Sequence, residues 1–276
     1  GFPHHEQVLD RYGDIEGEPE GVIDVGLELT SPTRGIMRGW ATPRLQRAQW
    51  KMTEVQEISV SGFLPPRNPD QFLVENFDVL AVLKAEIDQE FVLNGNSYYF
   101  TGKTAQKYAT LCLLASNDAG INEDETLLRT CIEKLQLALD DFLNNNMRYP
   151  LVYDEVYRGI VSSEGFASKN IHADFGNTVY NDHHYHYGYW IMTAAVLKKM
   201  DPQWTRMPEL NEMITLLVCS TANHGRGAMD SRFPLFRHFD WFAGHSSSHG
   251  LVPFIDGKDQ ESTSEEMNFH YALMLW

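Results

Sequence analysis

From Asp70 onward the chain repeats one theme: apolar side chains at helical spacing, then a long loop of polar, aromatic and glycine residues. The run "DQFLVENFDVLAVLKAEIDQEF" sets Leu73, Phe77, Leu80, Leu83 and Ile87 on one helix face. Similar runs follow at "TAQKYATLCLLAS", "DETLLRTCIEKLQLALDDFLNN", "YGYWIMTAAVLKKM" and "MPELNEMITLLVCS". The run through Met200 ends at Asp201-Pro202, because proline disfavours helix in the residue before it. A last helix is expected to begin near Ser262 and to run on to Trp276. This alternation predicts an all-α bundle or a toroid of helical hairpins, with the loops of one rim converging on a site. It does not separate a closed α/α barrel from a solenoid or an open bundle.

Residues 1–66 read differently. They are rich in Gly and Pro, carry the short β-like runs "GVIDVGLEL" and "VQEISVSGFL", and close with "FLPPRNPD". A boundary is therefore expected near residue 66. The opening "GFPHHEQVL" has no initiator Met and "YALMLW" stops in mid-pattern, so the chain reads as an internal piece of a longer protein.

Charge narrows the partners. With 38 Asp+Glu against 22 Lys+Arg, the net charge of -16 repels phosphate backbones and anionic membranes. No run approaches the ~20 apolar residues of a membrane span. Nucleic acid and membrane are thus not expected as partners, whereas a neutral or cationic substrate is compatible. The 12 Tyr, 15 Phe and 6 Trp offer flat faces that suit both cores and sugar rings. Cys112, Cys131 and Cys219 each lie in an apolar helix-like run, where buried free thiols are expected.

Two segments carry chemistry. The first is "DFGNTVYNDHHYHYGYW", where Asp182 and His186 are one helical turn apart. Imidazole and carboxylate are ligands for zinc or iron, and "HFDWFAGHSSSH" adds His238, His245 and His249. No second ligand pair such as HExxH accompanies them, which weighs against a metal. His183 and His184 are expected instead to hydrogen-bond around a crowded helix start. Asp182 stands among five aromatics, and desolvation there raises a carboxyl pKa, the condition of a general acid near neutral pH.

The second segment is "DGKDQESTSEEMNF". Glu261 and Glu265 are one turn apart, and Ser262 with Glu265 fits a capping box. A helix N-terminus favours an ionised carboxylate, as a general base requires. Glu266 is expected to point elsewhere and to be solvated. A protonated acid facing an ionised base among aromatics is the arrangement that hydrolyses glycosidic bonds.

These blocks, with "FDWFAGHS" and the earlier "PHH", "RGIMRGW" and "SYYFTGK", resemble in the same order the signature blocks of glycoside hydrolase family 81, the endo-β-1,3-glucanases. The resemblance implies a mainly α fold: an (α/α)6 toroid-type barrel, incomplete in this chain, preceded by a small α/β or β-containing segment. Residues 1–66 would be the remainder of an α/β linking region and 67–276 the N-terminal part of the catalytic barrel. It further implies inverting hydrolysis of internal β-1,3-glucosidic bonds, with Asp182 as general acid, Glu261 as base and Glu265 as the second essential glutamate. Which glutamate activates the water stays open. Tyr99, Lys103, His186, His245, Asp256 and Lys258 match substrate-binding positions. No metal or organic cofactor is expected. The partner implied is a β-1,3-glucan, the protein a monomer, and the location, inferred from that substrate, extracellular or cell wall. A non-catalytic glucan-binding receptor on the same fold is the rival class. One departure falls at Ser247 and Ser248, where the family usually has a Trp and a small residue; a stacking platform worth ~1 kcal/mol is expected to be missing there.

Overall fold

A computed structural model of the chain describes residues 23–32, 35–42, 47–51, 62–63, 71–116, 121, 124–223, 231–240, 242–251 and 259–276. Three strands come first: β1 (Ile23–Ser31), β2 (Gly35–Thr42) and β3 (Arg47–Lys51), an antiparallel meander in that order. From Ile23 onward the run "GVIDVGLEL" thus lies in a strand, while most of "VQEISVSGFL" lies outside the described residues. Ser31 Oγ donates to the Phe242 carbonyl at 2.5 Å and the Tyr271 hydroxyl to the Gly62 carbonyl at 2.5 Å, tying the early chain to the helical part.

The helices follow: α1 (Gln71–Asn76), α2 (Val79–Asp88), α3 (Tyr98–Ala115), α4 (Glu125–Ala138), α5 (Asp140–Leu143), α6 (Glu164–Ser168), α7 (His183–Met200), α8 (Met207–Ala222) and α9 (Thr263–Leu275). A hairpin, β4 (Leu151–Asp154) with β5 (Gly159–Ser162), precedes α6, and a 3-10 helix spans Ala173–Val179 before α7. The short pair β6 (Phe239–Asp240) and β7 (His245–Ser246) lies between α8 and α9.

The first apolar run differs from expectation. It breaks into α1 and α2 at Asp78, whose φ of 47° is left-handed; Leu83 and Ile87 of the expected face are buried, Leu80 is half-buried and Phe77 is exposed. An Asp tolerates that conformation better than most residues, and periodicity alone does not register it. The third run likewise breaks at Leu139 into α4 and α5.

Helix α7 is the axis of the molecule. Every side chain from His183 to Leu197 is buried, a pattern that belongs to a helix surrounded by others. Helices α3 and α9 pack along it, with α8 beside them. Two glycines permit the approach. A Cβ on Gly102 would fall 2.8 Å from Trp190 Nε1, and one on Gly188 would fall 3.0 Å from the Phe269 Cα. The N-terminal ends are fixed locally: Ser97 Oγ accepts the N–H groups of Tyr99 (3.1 Å) and Phe100 (3.3 Å) to start α3.

Cys112 and Cys131 are not thiols, contrary to expectation: they form a disulfide between α3 and α4, with Cα atoms 5.4 Å apart. Helical periodicity reports that both are buried, but not that the packing of α3 on α4 brings them face to face. Cys219 is a buried thiol on α8. No helix among the described residues is long and apolar enough to cross a membrane.

Candidate active site

The start of α7 is built by an unusual backbone. Asp174, Phe175 and Gly176 adopt φ values of 46°, 58° and 83°, all left-handed, and Tyr180 and Asp182 repeat this at 69° and 56°. Except at Gly176, such a backbone costs of order 1–3 kcal/mol per residue unless its surroundings hold it. Here they are held: the Asp174 carboxylate accepts Ser97 Oγ at 2.5 Å and the Tyr98 N–H at 3.0 Å. The turn is thereby bound to the start of α3. Asp182 stands at the N-cap of α7, and its carbonyl accepts the His186 N–H at 2.9 Å, so the pair is joined through the backbone rather than as neighbours on a helix face.

A loop closes over this start. Leu251 N–H donates to the Val179 carbonyl (2.9 Å), Gly250 N–H to Asn181 Oδ1 (2.8 Å), and Asp182 N–H to the Ser248 carbonyl (2.8 Å). Gly250 has no substitute: a Cβ there would lie 2.2 Å from the Val179 oxygen. The same loop leads to the start of α9, where Ser262 occupies the N-cap and Glu265 the first turn. The Ser262 side chain makes no capping bond, so the expected capping box is formed by position only.

Asp182, Glu261 and Glu265 therefore converge from two helix starts. Burial pushes the Asp182 carboxyl up to about 8, and the charges of Glu261, Glu265 and Asp259 push in the same direction. Its Oδ1 is buried with no protein hydrogen-bond partner among the described residues. The surrounding imidazoles do not draw the proton away. Burial lowers His183 to about 3 and His184 and His238 well below the usual value, so none carries a positive charge. His183 Nε2 bonds to the Asn177 carbonyl at 2.7 Å as expected, but neither ring nitrogen of His184 has a protein partner among the described residues. His184 is instead packed against Tyr185, His238 and Phe269.

Glu265 is in the opposite condition. Burial would raise its pKa, but hydrogen bonds from Tyr189, Tyr99 and Ser262 and the Lys103 charge outweigh that and hold it below the ordinary value. The Tyr189 hydroxyl donates to Oε1 at 2.5 Å, and Lys103 Nζ lies 3.9 Å from the same oxygen. Glu261 is exposed; its N–H donates to Ser248 Oγ at 2.8 Å, and no described side chain hydrogen-bonds its carboxylate. Glu266, expected to be solvated, is buried: it accepts the Ser246 N–H at 2.5 Å, Gln260 Nε2, and His270 Nε2 at 3.3 Å. The start of α9 folds back against β7, which turns this face inward.

Aromatic walls line the approach. Lys103 Nζ donates to the Tyr99 hydroxyl at 3.0 Å, and the Tyr99 ring packs against His186 (5.0 Å), Phe175 (5.3 Å) and Tyr189 (5.9 Å). His186 is buried and held neutral by that burial, with Nδ1 3.3 Å from Asn177 Nδ2 and 3.9 Å from Asp174. Phe175 and Phe100 remain exposed beside them. His245 stands apart on β7 with Nδ1 2.9 Å from the Ser246 carbonyl, and no described hydrogen bond joins it to the three carboxylates. Asp256, Lys258 and Trp241 lie outside the described residues. Among the described residues, no three of His, Cys, Asp or Glu are grouped to hold a metal ion.

Sequence reading missed Tyr185, Tyr189 and Ser248. The two tyrosines are one turn apart on α7, the spacing that Glu261 and Glu265 have in the facing segment, and this match was the available signal. Ser248, read as the place of a missing platform, is fully buried and bonded on both sides.

Comparison with known proteins gives one consistent result. The model of the glycosyl hydrolase family 81 C-terminal domain matches residues 75–276. The primary septum glucan endo-1,3-beta-D-glucosidase of Schizosaccharomyces pombe is 39% identical over 224 residues, covering 80% of this chain and 22% of that protein. The glucan endo-1,3-beta-D-glucosidase of Arthroderma benhamiae is 41% identical over 282 residues, covering 100% of this chain and 29% of its own length. The chain thus spans less than a third of either relative. A solved structure of a glycoside hydrolase family 81 protein from Clostridium thermocellum superposes with a TM-score of 0.62 at 24% identity, over 100% of this chain and 34% of that one. The shared fold is mainly α and toroid-type, with a small β segment.

Proposed function

The chain belongs to glycoside hydrolase family 81, and on that premise we propose that the intact protein hydrolyses internal β-1,3-glucosidic bonds of β-glucan with inversion. The observation that carries the reading is the opposed protonation of two neighbouring carboxyls: Asp182 pushed up to about 8 and Glu265 held below its ordinary value. Asp182 keeps the proton that an acid needs, and Glu265, held ionised, orients the water for a base carried at the same helix start, Glu261.

In this reading Asp182 gives its proton to the glycosidic oxygen as the bond from that oxygen to the anomeric carbon breaks. Glu261 takes a proton from a water whose oxygen bonds to the anomeric carbon from the opposite face. The products are two shorter glucans, and Asp182 and Glu261 then exchange protons with solvent to reset. Glu261 is assigned the base because its carboxylate is exposed and uncommitted, whereas Glu265 Oε1 is engaged by Tyr189. Glu265, with Lys103, would orient the water. Inversion requires a carboxyl separation of roughly 6.5–9.5 Å, wide enough for that water. One C–O bond breaks, another forms, and the two carboxyls carry the protons, so the proposed step calls on no metal or organic cofactor.

Tyr99 and Lys103 are assigned to the sugar-binding wall; His186, expected as a substrate contact, is buried behind the Tyr99 ring and is assigned to holding that ring in place, while His245, Asp256 and Lys258 are carried as substrate contacts on the family resemblance. Residues 1–66 are assigned to the linking region and 67–276 to the first part of the barrel. A neutral glucan suits a chain of net charge -16. An extracellular or cell-wall location is supported by the Cys112–Cys131 disulfide, since such bonds persist in oxidising compartments. The test is reducing-sugar release from a linear β-1,3-glucan by the intact protein beside Asp182→Asn and Glu261→Gln. Both variants should lose activity by about a hundredfold or more; full activity in either removes its assigned role. Glucan binding without release by the wild type favours the receptor reading.

A further inference from the structure

Ser248 touches both halves of the carboxyl pair without reaching either carboxyl. Its carbonyl accepts the Asp182 N–H at 2.8 Å and its Oγ accepts the Glu261 N–H at 2.8 Å. Its own N–H donates to the Asp259 carbonyl at 2.9 Å, two residues before Glu261. The side chain is fully buried, so no substrate contacts it. Oγ is also 3.0 Å from the Tyr185 hydroxyl, whose oxygen accepts the Ser262 N–H at 3.0 Å. Two hydroxyls that bond to each other thus hold the consecutive N–H groups of Glu261 and Ser262, and Tyr185 is itself three residues along α7 from Asp182.

We infer that Ser248 and Tyr185 form a positioning pair that fixes the distance between the acid at Asp182 and the base at Glu261. The inference rests on the proposed glucanase reading. Its physical ground is that the N–H groups of Glu261 and Ser262 lie outside the helical ladder of α9, although the Ser262 carbonyl opens that ladder by accepting the Glu266 N–H at 3.1 Å. Glu261 precedes α9, and the Ser262 side chain does not cap it. Orphan N–H groups at a helix start need partners, and here the partners are carried by the acid's own helix and by the loop docked on it. Any shift of Asp182 is therefore transmitted to Glu261 through one residue. In a glycosidase that distance decides whether a water fits between carboxyl and sugar.

The experiment is a double-mutant cycle in the intact protein with Ser248→Ala, Tyr185→Phe and the pair, measuring kcat, KM and thermal midpoint on linear β-1,3-glucan. Each single variant should lower kcat by between about tenfold and a hundredfold, the effect of a misplaced reacting group. KM should change by less than about twofold, because the sugar-facing side chains are untouched. The double variant should lose little more than either single one, since both hydroxyls serve one linkage. Should Ser248→Ala fail to fold, Ser248→Thr, which keeps the hydroxyl, and Tyr185→Phe carry the test: Thr is expected to retain kcat and Phe to lose it. A wild-type kcat in Tyr185→Phe, or additive losses in the cycle, overturns the positioning pair while the glucanase reading stands. No sugar release by the wild type overturns both.

Discussion

The Tyr189 hydroxyl donates to Glu265 Oε1 at 2.5 Å, joining the second turn of α7 to the first turn of α9. This bond favours the ionised glutamate, and it lies between the two helices whose starts carry the other two carboxyls. Tyr189→Phe removes it and leaves the ring. The pKa of Glu265 should then rise; since Glu265 orients the water for Glu261 only while ionised, the acidic limb of the pH–rate profile should move to higher pH. A profile measured between pH 3 and 7 that is unchanged in the variant would show that Glu265 does not govern that limb.

The basic limb belongs to Asp182. Its carboxyl, pushed up to about 8, is the proton donor in the proposed mechanism, so kcat/KM should fall as pH rises through that value. The same shift has a consequence for stability. Asp182 ordinarily titrates at 3.8, so between 3.8 and about 8 the folded protein holds a proton that the unfolded chain has released. Folding is then progressively disfavoured as pH rises through that window. Asp182→Asn escapes the penalty, and Asn tolerates the left-handed backbone at this position. Thermal unfolding should find the variant equal to wild type below about pH 4 and more stable at pH 8, although it is inactive. Equal midpoints at pH 8 would mean that Asp182 titrates normally.

Reduction should weaken the fold. The Cys112–Cys131 bond closes a sequence separation of 19 between α3 and α4, and α3 carries Tyr99 and Lys103. A loop of that size is worth about 3 kcal/mol through the unfolded state. Denaturant unfolding with and without a thiol reductant measures it. An unchanged midpoint would mean that the two sulfurs are not bonded in solution.

Gly188→Ala should separate α9 from α7. Its Cβ would press on the Phe269 backbone, which cannot move aside as a side-chain tip can. A destabilisation of about 1–3 kcal/mol is expected, together with a loss of kcat because Glu265 rides on α9. Retention of both in calorimetry and assay would show that this contact does not position the glutamate.

What could be read from the residues alone was uneven, for physical reasons. Helices α3 and α8 carry apolar side chains at a helical period, while α9 was marked by its start at Ser262. The start of α7 does not carry it: His183, His184 and His186 are polar by type yet fully buried, so the helix begins before its apolar run does. The opposed shifts of Asp182 and Glu265 were legible because desolvation acts on residue type and the hydrogen bonds at a helix start act on position. Ser248 was not, since its role runs through its own carbonyl and N–H, which every residue has. The disulfide needed a pairing of helices that burial alone does not specify. Glu266 was misjudged because its position on α9 faces β7, an element of two residues with no periodic signal.

The central claim is that water, activated by Glu261, attacks the anomeric carbon from the face opposite Asp182. Proton NMR of the first sugars released from a linear β-1,3-glucan by the intact protein reads the stereochemistry before mutarotation erases it. The account predicts that the α-anomer appears first. A β-anomer formed first would contradict it, and would put a covalent glycosyl-enzyme intermediate in place of direct attack by water.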